Sequence, residues 1–485
     1  MLFLLIDYAK QKKKNLFVGF LDYEKAFDCA NRAGIMTKLM NDGCGGVFTK
    51  SILEMFSTST YYPKSNIGNR LSVGIDTDYG VTQGRRSSGS LFSYYVSDMA
   101  LTLNSTTYDD FMDPLSLAQL EDDSAIYAEK LNNLATKFIK IFDYSDSKHQ
   151  VANISKTMYC NFAADPILST LQCNDQLSIE SVNRDKGYKY LGTYYYPTND
   201  ITDIIKRNVN KRMGQFSKFY AWLSVNENTP VDVKIMILDN CVFGAILYGC
   251  ECWGNVSYLS EKLKKEEMKA IRSIMGIKIG TTEDLVFHEL RRCSVMTTIK
   301  DRQFNFYKKV QQLSSDDAIV KVVLEMCLLD SSMVDYYKKL REKNREHELM
   351  EREQRILKSN NSMCRYYCEF DLMAKCDIYC SMLNDYYRII ITRWRLSNHR
   401  LNIEVGRYAV PKTQRANRVC SLCHVLEDEE HVVFTCPRYQ DTRSKYPLLL
   451  DDCDIKKFLN PRYDQMIDTA CFIRELEKRR TDLAL

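Results

Sequence analysis

The 485-residue chain lacks any real surplus of charge: 67 lysines and arginines face 63 acids, a formal +4. So small an excess neither demands nor excludes a nucleic-acid partner, and what matters is where the charges cluster. No run is long and apolar enough to span a bilayer, so no membrane-spanning helix is expected. A secretory leader is not expected either. Met1 to Ile6 is apolar, but Asp7 and Lys10 interrupt it too early. Internal repeats and low-complexity tracts are missing, and nothing reads as mainly disordered or collagenous. The chain is also too large for a small disulfide scaffold, although it holds 18 cysteines. The expected setting is therefore reducing and intracellular, cytoplasm or nucleus, with thiols free, buried or metal-bound.

What is present is ordinary globular composition, 45% hydrophobic and 27% charged. The length suits two to four domains. To about Pro197, short apolar runs alternate with helical patterns, as in an α/β domain. Leu16 to Leu21 is a continuous apolar run ending at Asp22, which suits a buried strand. Leu91, Phe92, Tyr95, Val96 and Met99 recur at helical spacing. Leu115–Leu120 and Ala125–Ala128 read as two short strands, with Glu121, Asp122, Asp123 and Ser124 at the turn between them. From Ile201 the chain reads mostly helical. Ile204, Ile205, Asn208, Val209, Met213 and Phe216 share one face. Asp335 to Lys358 reads as a long solvated helix.

Asp22 at a strand end and Asp122 with Asp123 at a turn are the carboxylates of interest. Adjacent carboxylates repel, and a hard divalent cation with oxygen ligands removes that cost. Two such ions serve an in-line phosphoryl transfer. By itself, an Asp-Asp pair at a turn is most often only a solvated turn.

The surrounding motifs fall in a telling order. Phe20-Leu21-Asp22-Tyr23-Glu24-Lys25-Ala26-Phe27-Asp28 resembles motif A of non-LTR retrotransposon reverse transcriptases. Gly80-Val81-Thr82-Gln83-Gly84 resembles motif B, Leu120-Glu121-Asp122-Asp123 motif C, Asn153-Ile154-Ser155-Lys156-Thr157 motif D, and Tyr188-Lys189-Tyr190-Leu191-Gly192 motif E. The resemblance covers residues 1 to 200 well and extends loosely to about 450.

It implies an α/β palm over 1–200, a helical thumb-like region over 201–300, a helical connector over 301–404, a zinc knuckle over 405–450 and a C-terminal tail over 451–485. The implied activity is RNA-directed DNA synthesis with two Mg²⁺ or Mn²⁺ ions, an RNA template, a DNA primer or target, and dNTPs. By motif position Asp22, Asp122 and Asp123 would hold the ions, with the Tyr23 carbonyl beside them. Phe27 would lie under the sugar, Gln83 near the incoming nucleotide, and Lys156 near the departing pyrophosphate. The sequence departs from the pattern where Glu121 replaces a small alanine and where Arg85-Arg86-Ser87-Ser88 continues motif B. It also begins just before motif A, without the upstream fingers motifs, and no endonuclease is evident. The expectation is that the chain as given extends a primer little or not at all. The rival expectation is a decayed or repurposed copy that only binds nucleic acid.

Cys420-x2-Cys423-x7-His431-x4-Cys436 offers three thiolates and one imidazole, the donor set of a structural Zn²⁺. It also resembles the C-terminal knuckle of the same family. His424 departs from the spacing and reads as a surface residue. Cys364, Cys368, Cys376 and Cys380 form two pairs at helical spacing, read more simply as buried thiols than as a second metal site. Cys241, Cys250 and Cys252 read as core thiols. Basic helical faces over Lys206–Lys218 and Lys262–Arg272 either track a phosphate backbone or are plain solvated surface.

Overall fold

The computed structural model describes residues 2–57, 60–61, 74–77, 79–82, 87–104, 115–163, 166, 169–277, 281–312, 336, 344–358, 367 and 385–482. Expectations for Gln83 and for Cys364, Cys368, Cys376 and Cys380 fall outside these residues. The fold is mostly helical with one mixed sheet, in two compact units: residues 1–208 with 309–335, and 209–308 with 336–485.

Among its described residues the first unit carries ten strands: β1 (Phe17–Leu21), β2 (Thr60–Tyr61), β3 (Ile75–Asp76), β4 (Leu117–Leu120), β5 (Asp123–Ala128), β6 (Met158–Asn161), β7 (Leu171–Gln172), β8 (Ser178–Ser181), β9 (Tyr188–Tyr190) and β10 (Thr193–Tyr195). Six of them form a sheet in the order β4-β5-β1-β6-β8-β7. All pairings in it are antiparallel except β6 with β8. β1 is buried at every residue because it has a strand on each side and cover on both faces. On one face, Phe17 and Leu21 join a core with Phe138 and Ile141 of a long helix over Leu131–Ser147. That helix passes so close that a Cβ on Gly19 would meet Phe138 Cζ at 2.4 Å, so glycine lets sheet and helix close. On the other face Phe20 stacks on Tyr188, ring centroids 4.6 Å apart.

Four helices of this unit matter below: α1 (Leu2–Gln11), α2 (Arg32–Asn41), α3 (Ser88–Tyr95) and α4, the Leu131–Ser147 helix. The apolar opening of the chain is the buried face of α1, Leu2 to Ile6. Leu91, Phe92, Tyr95, Val96 and Met99 are all buried, although α3 ends at Tyr95 and a second short helix follows from Met99. Asn208 had read as a polar residue on an apolar face. Buried, it accepts from Tyr194 N–H at 2.8 Å and donates to Tyr194 O at 2.7 Å, clamping β10 to its helix.

Asp98 ties three parts of this unit together. It accepts from Tyr144 Oη at 2.5 Å, Lys148 Nζ at 2.9 Å and Lys38 Nζ at 3.2 Å. Burial pushes its carboxyl up, but these donors outweigh burial and hold it down at about 2, against 3.8 unpaired. With the folded value below the unfolded one, the stabilisation is present above pH ~4 and is lost as pH falls toward ~2. Asp98→Asn should therefore cost about 1 kcal/mol near neutrality, after screening of a carboxylate one-third exposed. The cost should shrink to nothing at the acid end, as followed by denaturant titration at several pH values. An equal loss at both ends would contradict this account.

The second unit is helical among its described residues. Its main elements here are α5 (Ser257–Met275), α6 (Asp385–Arg395) and α7 (Met466–Asp482). One core gathers Trp394, Val433, Phe458, Phe472 and Ile473. Its buried charges are paired: Arg395 grips both oxygens of Glu289 at 2.7 and 3.1 Å. Cys250 is buried, but Cys241 is exposed and Cys252 half-buried. The core-thiol reading thus fails for Cys241, which sits on the outer side of a π-helical turn over Leu238–Phe243. Among the described residues no helix is long and apolar enough to cross a membrane.

Candidate functional site

Strand pairing alone brings the three aspartates together. β1 runs antiparallel to β5 with Leu21 opposite Ser124, so the next residue, Asp22, comes opposite Asp123 at the sheet's end. Asp123 also closes the β4–β5 hairpin against Leu120, which leaves Glu121 and Asp122 as the turn. The loop 153–157 holds Asp22 from below. Asn153 N–H donates to Asp22 O at 2.8 Å, and Asp22 N–H donates to Thr157 Oγ1 at 3.3 Å. The same loop sets Lys156 Nζ 3.6 Å from Asp22 Oδ2. That oxygen is buried and accepts no hydrogen bond.

The electrostatics follow from this crowding. Partial burial pushes the Asp123 carboxyl up, and Asp122, Asp22 and Glu121 push it further in that order. Tyr188 and Tyr190 flank the group from the β9–β10 hairpin. Burial raises both phenols; Asp22 and then Asp123 push Tyr188 further up, and Asp123 does the same to Tyr190. A buried Asp22 oxygen that accepts no hydrogen bond, beside an Asp123 carboxyl pushed up by burial and its acidic neighbours and with one lysine near, is a donor set that a hard cation fits.

Glu121 has φ +56°, a left-handed conformation that a non-glycine residue adopts at a cost. Its carboxylate lies against α3: a Cβ on Gly89 would meet Glu121 Oε1 at 2.2 Å. The side chain is exposed overall but packed on that helix, and its charge reaches Asp123. Gly80 is needed where residues 27–30 meet residues 80–81. With φ +86° it donates to Ala30 O at 2.8 Å, and a Cβ there would meet Asp28 O at 2.8 Å. Next to it Val81 N–H donates to Phe27 O at 2.8 Å, and Phe27 stacks on Phe92 of α3 at 5.0 Å. The Tyr23 phenol points into the core, 3.0 Å from Ser145 Oγ, so only its backbone is available beside Asp22.

In the second unit Cys420, Cys423, His431 and Cys436 converge, with all four donor atoms within 4.8 Å of one another. A two-residue bridge between Val419 and Leu426 closes the Cys420–Cys423 loop, and Cys420 N–H donates to Val425 O at 2.7 Å. A π-helical turn over His431–Thr435 then returns the chain so that Cys436 N–H meets His431 O at 2.8 Å. Cys436 Sγ lies 3.7 Å from Cys423 Sγ and 3.9 Å from Cys420 Sγ. Thiolates about 2.3 Å from a tetrahedral centre stand about 3.8 Å apart, whereas a disulfide needs about 2.05 Å. His431 Nε2 is buried without a hydrogen bond, while Nδ1 lies 3.0 Å from Thr435 Oγ1, which fixes the ring. Burial pushes His431 down, toward the neutral imidazole that ligates metals. Burial and the neighbouring thiols push Cys436 up to about 12, so the sulfurs do not all ionise without a cation. His424 is exposed and outside the group.

The sequence reading passed over Tyr188 and Tyr190 as site residues. They stand in the Tyr188–Gly192 run, but only the Phe20–Tyr188 stack and the influence of Asp22 and Asp123 on the two phenols show that this hairpin abuts the carboxylates. No protein-family model matches the chain, and no curated protein matches it. Among solved structures, telomerase from Candida albicans in complex with a TWJ fragment of telomeric RNA is similar at 13% identity and a TM-score of 0.26. The match covers 70% of this chain and 54% of that one, so the chain spans about half the telomerase's length. A superposition this loose carries no argument about function.

Proposed function

We propose that the first unit holds the nucleotidyl-transfer centre of a reverse transcriptase of the non-LTR retrotransposon kind. Its substrates are an RNA template, a DNA primer and dNTPs. The carrying observation is that Asp22, from one motif, meets the Asp122–Asp123 turn, from another, through the β1–β5 register. The order of motifs A to E supports the same reading.

Asp22, Asp122 and Asp123 would hold Mg²⁺ or Mn²⁺. Two such ions, when bound, neutralise the triphosphate and acidify the primer hydroxyl. Lys156, beside Asp22, supplies a positive charge for a departing pyrophosphate. Phe27, braced on Phe92, offers a rigid ring for the sugar to rest on. Gln83 is assigned from its motif alone. The Cys420–Cys423–His431–Cys436 group would hold a structural Zn²⁺, closing a segment too short to bury a core unaided.

Primer extension on an RNA template with Mn²⁺ or Mg²⁺ tests the proposal: the chain as given incorporates dNTPs slowly, and the Asp122→Asn variant does not incorporate them at all. A second reading, nucleic-acid binding without catalysis, is favoured by Glu121, whose charge sits beside Asp123. Binding of template–primer without incorporation, unchanged by Glu121→Ala, would decide for that second reading.

A further inference from the structure

A cleft of about 690 Å³ opens in the second unit beside the cysteine–histidine group. Four exposed cations line it: Arg393 at the end of α6, Arg400 in the loop after it, and Arg474 and Lys478 on α7. Trp394 and Val432, both buried, form its floor. Only one acid, Glu477, is among the described lining residues. Its carboxylate is already engaged, accepting the Trp394 indole N–H at 3.0 Å. A fifth cation, Arg480, is neutralised by Glu427 at 2.8 Å.

The four cations are not explained by partners within the fold. Arg400 and Lys478 make no ion pair or side-chain hydrogen bond among the described residues. Arg393 donates to a backbone carbonyl, Gly276 O, at 2.9 Å, and Arg474 lies over the Tyr386 ring at 5.0 Å; neither contact neutralises charge. Arg474 and Lys478 are four apart on one helix, where like charges repel. Such a local excess stands out in a chain whose net charge is only +4.

We propose that this cleft binds the phosphodiester backbone of a single nucleic-acid strand. The cations meet successive phosphates, and the apolar floor receives a sugar or base. An apolar floor between cations suits a flexible single strand, whose bases and sugars are free to turn inward, better than a duplex, whose bases are stacked inside. The site does not depend on the carboxylates of the first unit and adds a second contact to the same class of partner.

The 485-residue, zinc-replete chain is titrated with short fluorescein-labelled oligo(dT) at a series of NaCl concentrations, without dNTPs or added Mg²⁺. Each phosphate contact to a single strand contributes about 0.7 to the slope of log K against log salt. Arg400→Ala/Lys478→Ala should lower that slope by about 1.4 and weaken binding roughly tenfold at physiological salt. Lys457→Ala/Arg462→Ala, the same charge change elsewhere in this unit, should leave both unchanged. Thiothymidine photo-crosslinks should map to the peptides around Arg400 and Lys478. Equal losses in both variants, no loss in the first, or crosslinks confined to other peptides would overturn the proposal. Inorganic phosphate that competes far better than chloride at equal ionic strength would instead identify a small-anion site and overturn it as well. Primer extension is scored separately, so failure of either proposal leaves the other readable.

Discussion

Asp22→Asn is expected to cut dNTP incorporation by about a thousandfold. Charge stabilisation by a catalytic metal contributes several kcal/mol to the transition state, and each 1.36 kcal/mol is tenfold in rate. Asparagine keeps the shape of the side chain and its place at the strand end, so the fold survives. It removes one of three carboxylates from a group that already crowds Asp123. The template–primer affinity should stay within about twofold, because the strand backbone is held by cations and not by these acids. The effect thus falls on the rate of the bound complex. Glu121→Ala acts in the opposite direction. It removes a negative charge that raises the Asp123 carboxyl and frees the space against Gly89, so it should increase incorporation at limiting Mg²⁺. Steady-state incorporation over a range of Mg²⁺ concentrations checks both variants. An Asp22→Asn variant as fast as the parent would remove the carboxylates from the chemistry.

Loss of the zinc proposed for the cysteine–histidine group is expected to be the second large effect. Structural zinc sites have apparent binding free energies of about 10–16 kcal/mol in small peptides, and that energy is folding energy. Cys420 and Cys436 lie in one core with Val433, Phe458 and Phe472. Cys423→Ser should therefore reduce zinc content from one per chain to none and open the segment around residues 400–450 to protease. The first unit should keep its protease resistance, since its core shares no residue with this one. Chelation of the parent protein should reproduce the pattern. Metal analysis with limited proteolysis reads both outcomes. A parent free of zinc that resists protease as well as it does with zinc added would refute a structural role for the metal.

How much of this was legible in the sequence depended on how locally each feature is built. β1 showed as an apolar run because a strand covered on both faces has no polar side to alternate. The β4–β5 hairpin showed because its strands are adjacent in sequence, and the cysteine–histidine group showed because its four residues are close-spaced in sequence. Long-range placements were hidden. Nothing in Glu121 announces that its carboxylate rests on Gly89, far upstream. The tyrosines of β9 meet the carboxylates only because Phe20 stacks between elements remote in the chain. Cations at Arg393, Arg400, Arg474 and Lys478 are unremarkable singly and become a site only when α6 and α7 pack. The helical face from Ile204 to Phe216 was legible, yet the break between two helices near Met213 left no pattern in it.

The central claim is that Asp22, Asp122 and Asp123 form one divalent-cation site. Electron paramagnetic resonance with Mn²⁺ on the zinc-replete chain tests it without requiring turnover. The account predicts Mn²⁺ binding in the parent that weakens by at least roughly tenfold in both Asp22→Asn and Asp123→Asn, because the two variants remove ligands of the same ion. Mn²⁺ binding identical in the parent and both variants would contradict it.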